Sequence, residues 1–191
     1  MKYELVTADD NSDAELACYL SSHLTGGKKK IMIDVFLSRP TWVKRHVASH
    51  LSKLDTKLQE MGFQARTVGT NVTPFASPFD EVVDVLNSCQ CAIILGLPYI
   101  RVKTGTIKDE EIEASFGLPT EWNHIEAAIS LMLKLPTLMM LHHGVKPRGL
   151  FYRGSANVFI HKFNAMGPKW VDDTVPKLKE LKDKVLAQQK H

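Results

Sequence analysis

The chain has 191 residues, of which 44% are apolar and 24% charged. That is the make-up of one globular domain with a well-buried core, and it excludes disordered, collagen-like and membrane-spanning classes. Twenty-four Lys and Arg against 21 Asp and Glu give a net charge of +3, too mild to argue for nucleic acid as a partner.

Residues 1–27 read as an N-terminal extension, with a short helix over Asn11 to Leu24 that Gly26-Gly27 ends. Lys28-Lys29-Lys30 and the lysines of the last helix read as solvated faces. From Lys30 the chain alternates between two periodicities. Ile31 to Leu37 is an apolar, β-branched run and predicts a buried strand that Ser38-Arg39-Pro40 breaks. Val43, Val47, Leu51, Leu54, Leu58 and Met61 recur at helical spacing, with Gly62 where a helix cap belongs. Phe63 to Val68 predicts a second strand, and Gly69 to Pro78 a loop. Phe79, Val82, Val83 and Leu86 mark a helix, and Cys91 to Leu95 a third strand closed by Gly96.

Arg101 to Gly117 is polar with weak periodicity and reads as a long loop, of the kind that is usually functional or mobile. A helix follows from Glu121 to Lys134, with an apolar stripe expected at Ile125, Ala128, Ile129, Met132 and Leu133. Thr137 to Leu141 predicts the fourth strand and Asn157 to Ile160 the fifth. Val171, Val175, Leu178, Leu181 and Val185 line a closing helix. Strands alternating with helices of these lengths imply right-handed crossovers and a parallel sheet covered on both faces. Ligands of such sheets bind beyond the carboxyl ends of the strands.

Common nucleotide signatures are absent: no glycine-rich fingerprint follows the first strand, and there is no Walker-type lysine loop. Ser38 follows a strand, but no glycine brackets it as in a nucleophile elbow. Gly69-Thr70-Asn71 is either a phosphate-binding turn or a plain one. His142 and His143 are adjacent on a strand and point to opposite faces, so they chelate poorly and no metal is expected. The three cysteines, Cys18, Cys89 and Cys91, lack framework spacing and are expected to be reduced, buried thiols. With no basic, apolar leader and no apolar run of spanning length, the expected location is cytoplasmic, away from membranes.

Leu118-Pro-Thr-Glu-Trp-Asn-His-Ile-Glu126 is the most informative segment. Pro119-Thr120 reads as a helix start, with Thr120 as N-cap and Glu121 favourable to the dipole. Trp122 and Glu126 stand four apart, on one helical face. Glu126 lies one step round from Ile125, which puts a carboxylate at the rim of the buried face, where its pKa can shift. The alternative is a surface glutamate paired with a lysine.

These residues carry a resemblance. Val35-Phe36-Leu37-Ser38 with Arg39-Pro40, the strand from Gly62 to Gly69, Leu86 to Leu95, and Pro119-Thr-Glu-Trp-Asn-His-Ile-Glu126 with Leu135-Pro-Thr-Leu138 together resemble the stand-alone bacterial Toll/interleukin receptor (TIR)-like proteins. The likeness spans roughly Ile31 to Ile160. It departs from the family in Arg39-Pro40 and in the long segment before the glutamate. It implies an α/β, flavodoxin-like three-layer sandwich with a central, mainly parallel five-stranded sheet, formed by a TIR-like domain over residues 28–191.

It also implies cleavage of the nicotinamide–ribose bond of NAD, with NAD as substrate and no cofactor, and a cyclic or linear ADP-ribose product in bacterial antiviral defence. Glu126 is then the catalytic carboxylate. The candidate substrate-binding residues are Phe36, Trp42 and Trp122 as ring surfaces, Arg39 for the pyrophosphate, and Ser38, Thr70 and Asn71. Core packing is the alternative for the aromatics, and a salt bridge the alternative for Arg39. A homo-oligomer and a downstream effector protein reached through a diffusible product are open partner expectations. Two further readings stand beside this one: a nucleoside deoxyribosyltransferase-like N-glycosidase, and a non-catalytic nucleotide-binding scaffold.

Overall fold

A computed structural model of the chain describes residues 32–73, 77–156, 158–164, 167 and 169–189. The expectations for Asn11 to Leu24, Cys18, Gly26-Gly27 and Lys28 to Lys30 lie outside the described residues.

The alternation read from the sequence becomes β1 (Ile33–Ser38), α1 (Arg45–Glu60), β2 (Phe63–Arg66), α2 (Pro78–Ser88) and β3 (Cys91–Gly96), then α3 (Glu121–Met132), β8 (Thr137–His142), β9 (Ile160–Phe163) and α4 (Trp170–Gln188). The main sheet of the described residues has the order β2-β1-β3-β8-β9, and every pairing in it is parallel. Helices cover both faces, so the domain is a flavodoxin-like three-layer sandwich.

Strand parity sorts the core into two layers. Val35, Leu37, Cys91, Ile93, Leu95, Leu138 and Met140 face α1 and α4, meeting Leu51, Leu54, Leu58, Leu178 and Leu181. Phe36, Ala92, Ile94, Met139 and Leu141 face α2 and α3, meeting Val82, Val85, Leu86, Ala127 and Ile129. Gly62 ends α1 at φ 86°; its N–H donates to the Gln59 carbonyl, and its own carbonyl accepts from Ile33 N. The residue that closes the helix thus also sets the register of β1 beside β2.

Three expectations change. The fifth strand runs Ile160–Phe163, later than Asn157 to Ile160, because it pairs with Met139 to His142 of β8. On α3, Ile125, Ala128, Met132 and Leu133 face outward, with Met132 79% exposed. Its buried face is Asn123, Ala127, Ile129 and Ser130, small and partly polar. The segment 101–117 is an antiparallel arm: β4 (Ile100–Val102) pairs with β7 (Phe116–Leu118), and β5 (Thr106–Ile107) with β6 (Glu110–Glu111).

The tip of the arm is the two-residue turn Lys108-Asp109, both at positive φ, the geometry that matches hairpin twist. Its base is held by Gly117, which donates from N–H to the Gly144 carbonyl and accepts from Lys146 N. A Cβ at Gly117 would stand 2.5 Å from Pro98 Cβ and 2.8 Å from the Gly144 carbonyl oxygen, so only glycine fits.

Leu54 is fully buried between α1 and the sheet. Leu54→Ala is expected to lower unfolding free energy by about 3 kcal/mol, read from the urea midpoint at unchanged slope.

Candidate active site

In the strand order of this sheet, the chain leaves β1 for β2 on one side and then returns to β3 on the other. The crevice at that reversal, beyond the carboxyl ends of β1 and β3, is where open α/β sheets bind ligands. A cavity of about 450 Å³ lies there. Arg39 to Trp42 after β1, Val68 and Gly69 after β2, Pro78 and Val82 of α2, Tyr99 after β3, and Thr120, Glu121, Trp122 and Glu126 of α3 line it. The size and the mixed aromatic and polar lining suit a small-molecule site.

The first turn of α3 fixes the working side chains. Thr120 Oγ1 accepts from Asn123 N at 3.2 Å, and Asn123 Oδ1 accepts from Thr120 N at 3.2 Å, a reciprocal capping box. Asn123 is 1% exposed and donates from Nδ2 to Ser38 Oγ at 2.7 Å, joining the helix to the end of β1. Trp122 and Glu126, one turn apart, then flank the cavity together.

Glu126 is partly buried, and none of the described salt bridges involves it. Burial pushes its carboxyl from the usual 4.5 up to about 7, against the opposing effect of a hydrogen bond with Ser38. Near neutral pH this group is therefore shared between carboxylate and acid.

The remaining sequence candidates separate. Arg39 lines the cleft and also holds Asp55, Nη1 to Oδ2 at 3.1 Å. Trp42 and Trp122 line it with 74% and 39% of their surfaces exposed, so both rings have faces open to a ligand. Ser38 is 1% exposed and sits on the α3 side of β1.

Phe36 corrects an expectation: it is fully buried among Val82, Ile94 and Met139 and offers no ring face to the cleft. Thr70 and Asn71 are a second correction. Asn71 Oδ1 accepts from Thr67 N at 2.7 Å and its Nδ2 donates to Ala65 O at 2.6 Å, so the amide is engaged in closing a turn. Neither residue lines the cavity of Glu126; both face a separate hollow beside Gln64. The plain-turn reading of Gly69-Thr70-Asn71 is the one the structure supports. Cys89 and Cys91 are free, buried thiols, and burial pushes Cys89 up to about 11.

Asn123 and Tyr99 were not among the sequence candidates. The Thr120-x-x-Asn123 spacing carries the signal for the first, since an N-cap threonine wants a polar partner at the third helical position. Tyr99, 53% exposed at the cleft, has no motif around it.

No known family's sequence model matches the chain, and no curated protein matches it. Among solved structures, it is similar to the CMP N-glycosidase BcmB of Clostridium botulinum, at 17% identity and a TM-score of 0.48, over 76% of this chain and 98% of that one.

The raised carboxyl has a cost that depends on pH. An acid whose folded pKa lies above its unfolded value binds its proton more tightly when folded, so stability falls as pH rises through that window. Glu126→Gln removes the penalty. The variant should gain on wild type in urea unfolding as pH climbs from about 5 to about 8, reaching an advantage on the order of 2 kcal/mol. A constant difference across that range would show that the carboxyl titrates normally.

Proposed function

We propose that the chain cleaves the N-glycosidic bond of a nucleotide, with Glu126 as the carboxylate that stabilises the ribosyl cation, and that NAD is its substrate. The observation that carries this reading is a partly buried carboxyl that lines the sheet crevice together with two part-exposed indoles, Trp42 and Trp122.

The chemistry follows from charge. Breaking the bond between C1′ of ribose and a base nitrogen builds positive charge on the sugar, and a carboxylate in a poorly solvated site stabilises it more than one in water. An indole face suits a flat leaving group. The other glutamate lining the cleft, Glu121, is exposed at the start of the helix. One deep carboxylate suits a substrate whose base already carries the positive charge, because nicotinamide then departs neutral and needs no proton. This is the reason for placing NAD first, and the resemblance to TIR-like proteins points the same way.

Purified protein is incubated with NAD and, separately, with CMP and a panel of nucleosides and deoxynucleosides, and the products are identified by mass. CMP is included because it is named as the substrate of the similar solved structure. Nicotinamide release that Glu126→Gln lowers by about 10³-fold is the expected result. With an ionised carboxylate required, activity should rise with pH through about 7. Base release from CMP or base exchange between deoxynucleosides, with NAD untouched, would replace the substrate and keep the bond type. Equal turnover by wild type and Glu126→Gln would remove the residue from the chemistry altogether.

A further inference from the structure

A nucleotide brings negative charge into a cleft along with its base and sugar. Two carboxyls, Glu121 and Glu126, already line the cavity of the candidate site, and among the described residues that line it Arg39 is the one Lys or Arg. A phosphate entering this crevice therefore has a single side chain of firm positive charge to meet.

Arg39 is held ready for that part. It follows β1 directly, and its side chain is only 12% exposed. Pro40 after it is buried and restricts Arg39 to extended backbone. A guanidinium carries its N–H donors in a rigid planar fork. Among the described contacts one nitrogen is used, Nη1 donating to Asp55 Oδ2 at 3.1 Å. None of the nitrogens is among the sealed side-chain atoms that lack a partner. The remaining donors are thus unsatisfied yet accessible, and Arg39 lines three of the described hollows, the cleft of Glu126 among them.

Asp55 meets Arg39 from the other side. It lies on α1 and lines the two hollows outside the cleft, and it does not line the cleft itself. The ion pair therefore takes the guanidinium from the α1 side and leaves the cleft side for a ligand. The Asp55 side chain is 39% exposed, and pairs as open as this stabilise a fold little. What the pair does supply is one fixed direction for a long side chain, whose freedom a ligand would otherwise have to remove.

We propose that Arg39 is the specificity-determining residue of this cleft, recognising a phosphate on the 5′ carbon of the substrate ribose, and that Asp55 is its positioning residue. The cleft then accepts nucleotides and turns nucleosides away. The bond that is cleaved rests on the function proposed above; recognition of the phosphate does not depend on turnover. A 5′-phosphoryl group is common to mononucleotides and to NAD, and the arginine fork can meet two of its oxygens at once, as a lysine cannot.

The test is calorimetric binding to Glu126→Gln protein, which spares the ligands. Two series are compared: nicotinamide riboside, nicotinamide mononucleotide and NAD; and cytidine and CMP. In the series that binds, the phosphorylated compound should bind about 30-fold more tightly than its nucleoside. Arg39→Gln should bring that ratio close to one. Asp55→Asn should cut it about fivefold, Asp55→Glu should restore part of it, and Asp55→Asn should add nothing once Arg39 is glutamine. A preference shown by the mononucleotide assigns the single phosphate and one shown by NAD alone assigns the pyrophosphate, and both support the proposal.

Equal affinity across both series, no binding in either, or a ratio that Arg39→Gln leaves unchanged overturns it. So does a lowered urea midpoint in Asp55→Asn with the ratio unmoved, because the aspartate is then structural only. Should Arg39→Gln fail to fold, Arg39→Lys carries the test: it keeps the charge and loses the fork, and an undiminished ratio overturns the proposal. Cleavage of the same compounds by wild type is followed by mass. Phosphate-dependent binding without cleavage removes the function alone, and nucleosides cleaved as fast as nucleotides remove the phosphate preference alone.

Discussion

Successive residues of β1 point to opposite helical layers, and the strand ends at the crevice of the sheet. Val35 and Leu37 go to α1 and α4, whereas Phe36 and Ser38 go to α2 and α3. Everything about the candidate site depends on this alternation. It buries Phe36 two residues short of the mouth and delivers a hydroxyl at the last position, facing the helix that carries Glu126. A shift of one residue in the pairing of β1 would exchange the layers and turn Ser38 away from Asn123. The register is set from both sides, with Val35 opposite Cys91 and Ile33 opposite Phe63, and Gly62 links that second pair to the end of α1.

The central sheet was legible because buried parallel strands are written as apolar runs, and Ile31 to Leu37, Cys91 to Leu95 and Thr137 to Leu141 are such runs. The α3 face was not. Hydrophobicity pointed to Ile125, Met132 and Leu133, yet the face against the sheet is Asn123, Ala127, Ile129 and Ser130. Small side chains bury because they let the helix lie close, and the polar ones bury because each has a partner: Ser130 gives its proton to the Ala127 carbonyl, and Asn123 closes the cap. Partners of that kind belong to the fold and leave no trace in a hydropathy pattern. Glu126 was legible through its spacing from Trp122. Phe36 and Asn71 were misread because a side chain near a strand end can serve core, turn or ligand, and the sequence does not say which.

The arm between β3 and α3 was misread for a related reason. Two- and three-residue ladders such as β5 with β6 are too short to show a period, and the positive φ of Lys108 and Asp109 sits on residues that do not advertise a hairpin as Asn-Gly does. The same arm borders the cleft at both of its ends. It supplies Tyr99 near its start, and its return strand delivers the chain to Thr120, so the helix cap is approached from a structured element.

Gly117 gives this arm a division of labour. Below it, the close approach to Pro98 and the Gly144 carbonyl leaves no room for any side chain, and the hydrogen bonds to Gly144 and Lys146 tie the return strand to the segment after β8. Above it, residues 103 to 111 are exposed throughout. Natural variation in the length of this hairpin can therefore accumulate at its tip while the spacing from Gly117 to the helix cap stays constant, which makes the tip the tolerant place to graft a tag or a fluorophore and the base the intolerant one.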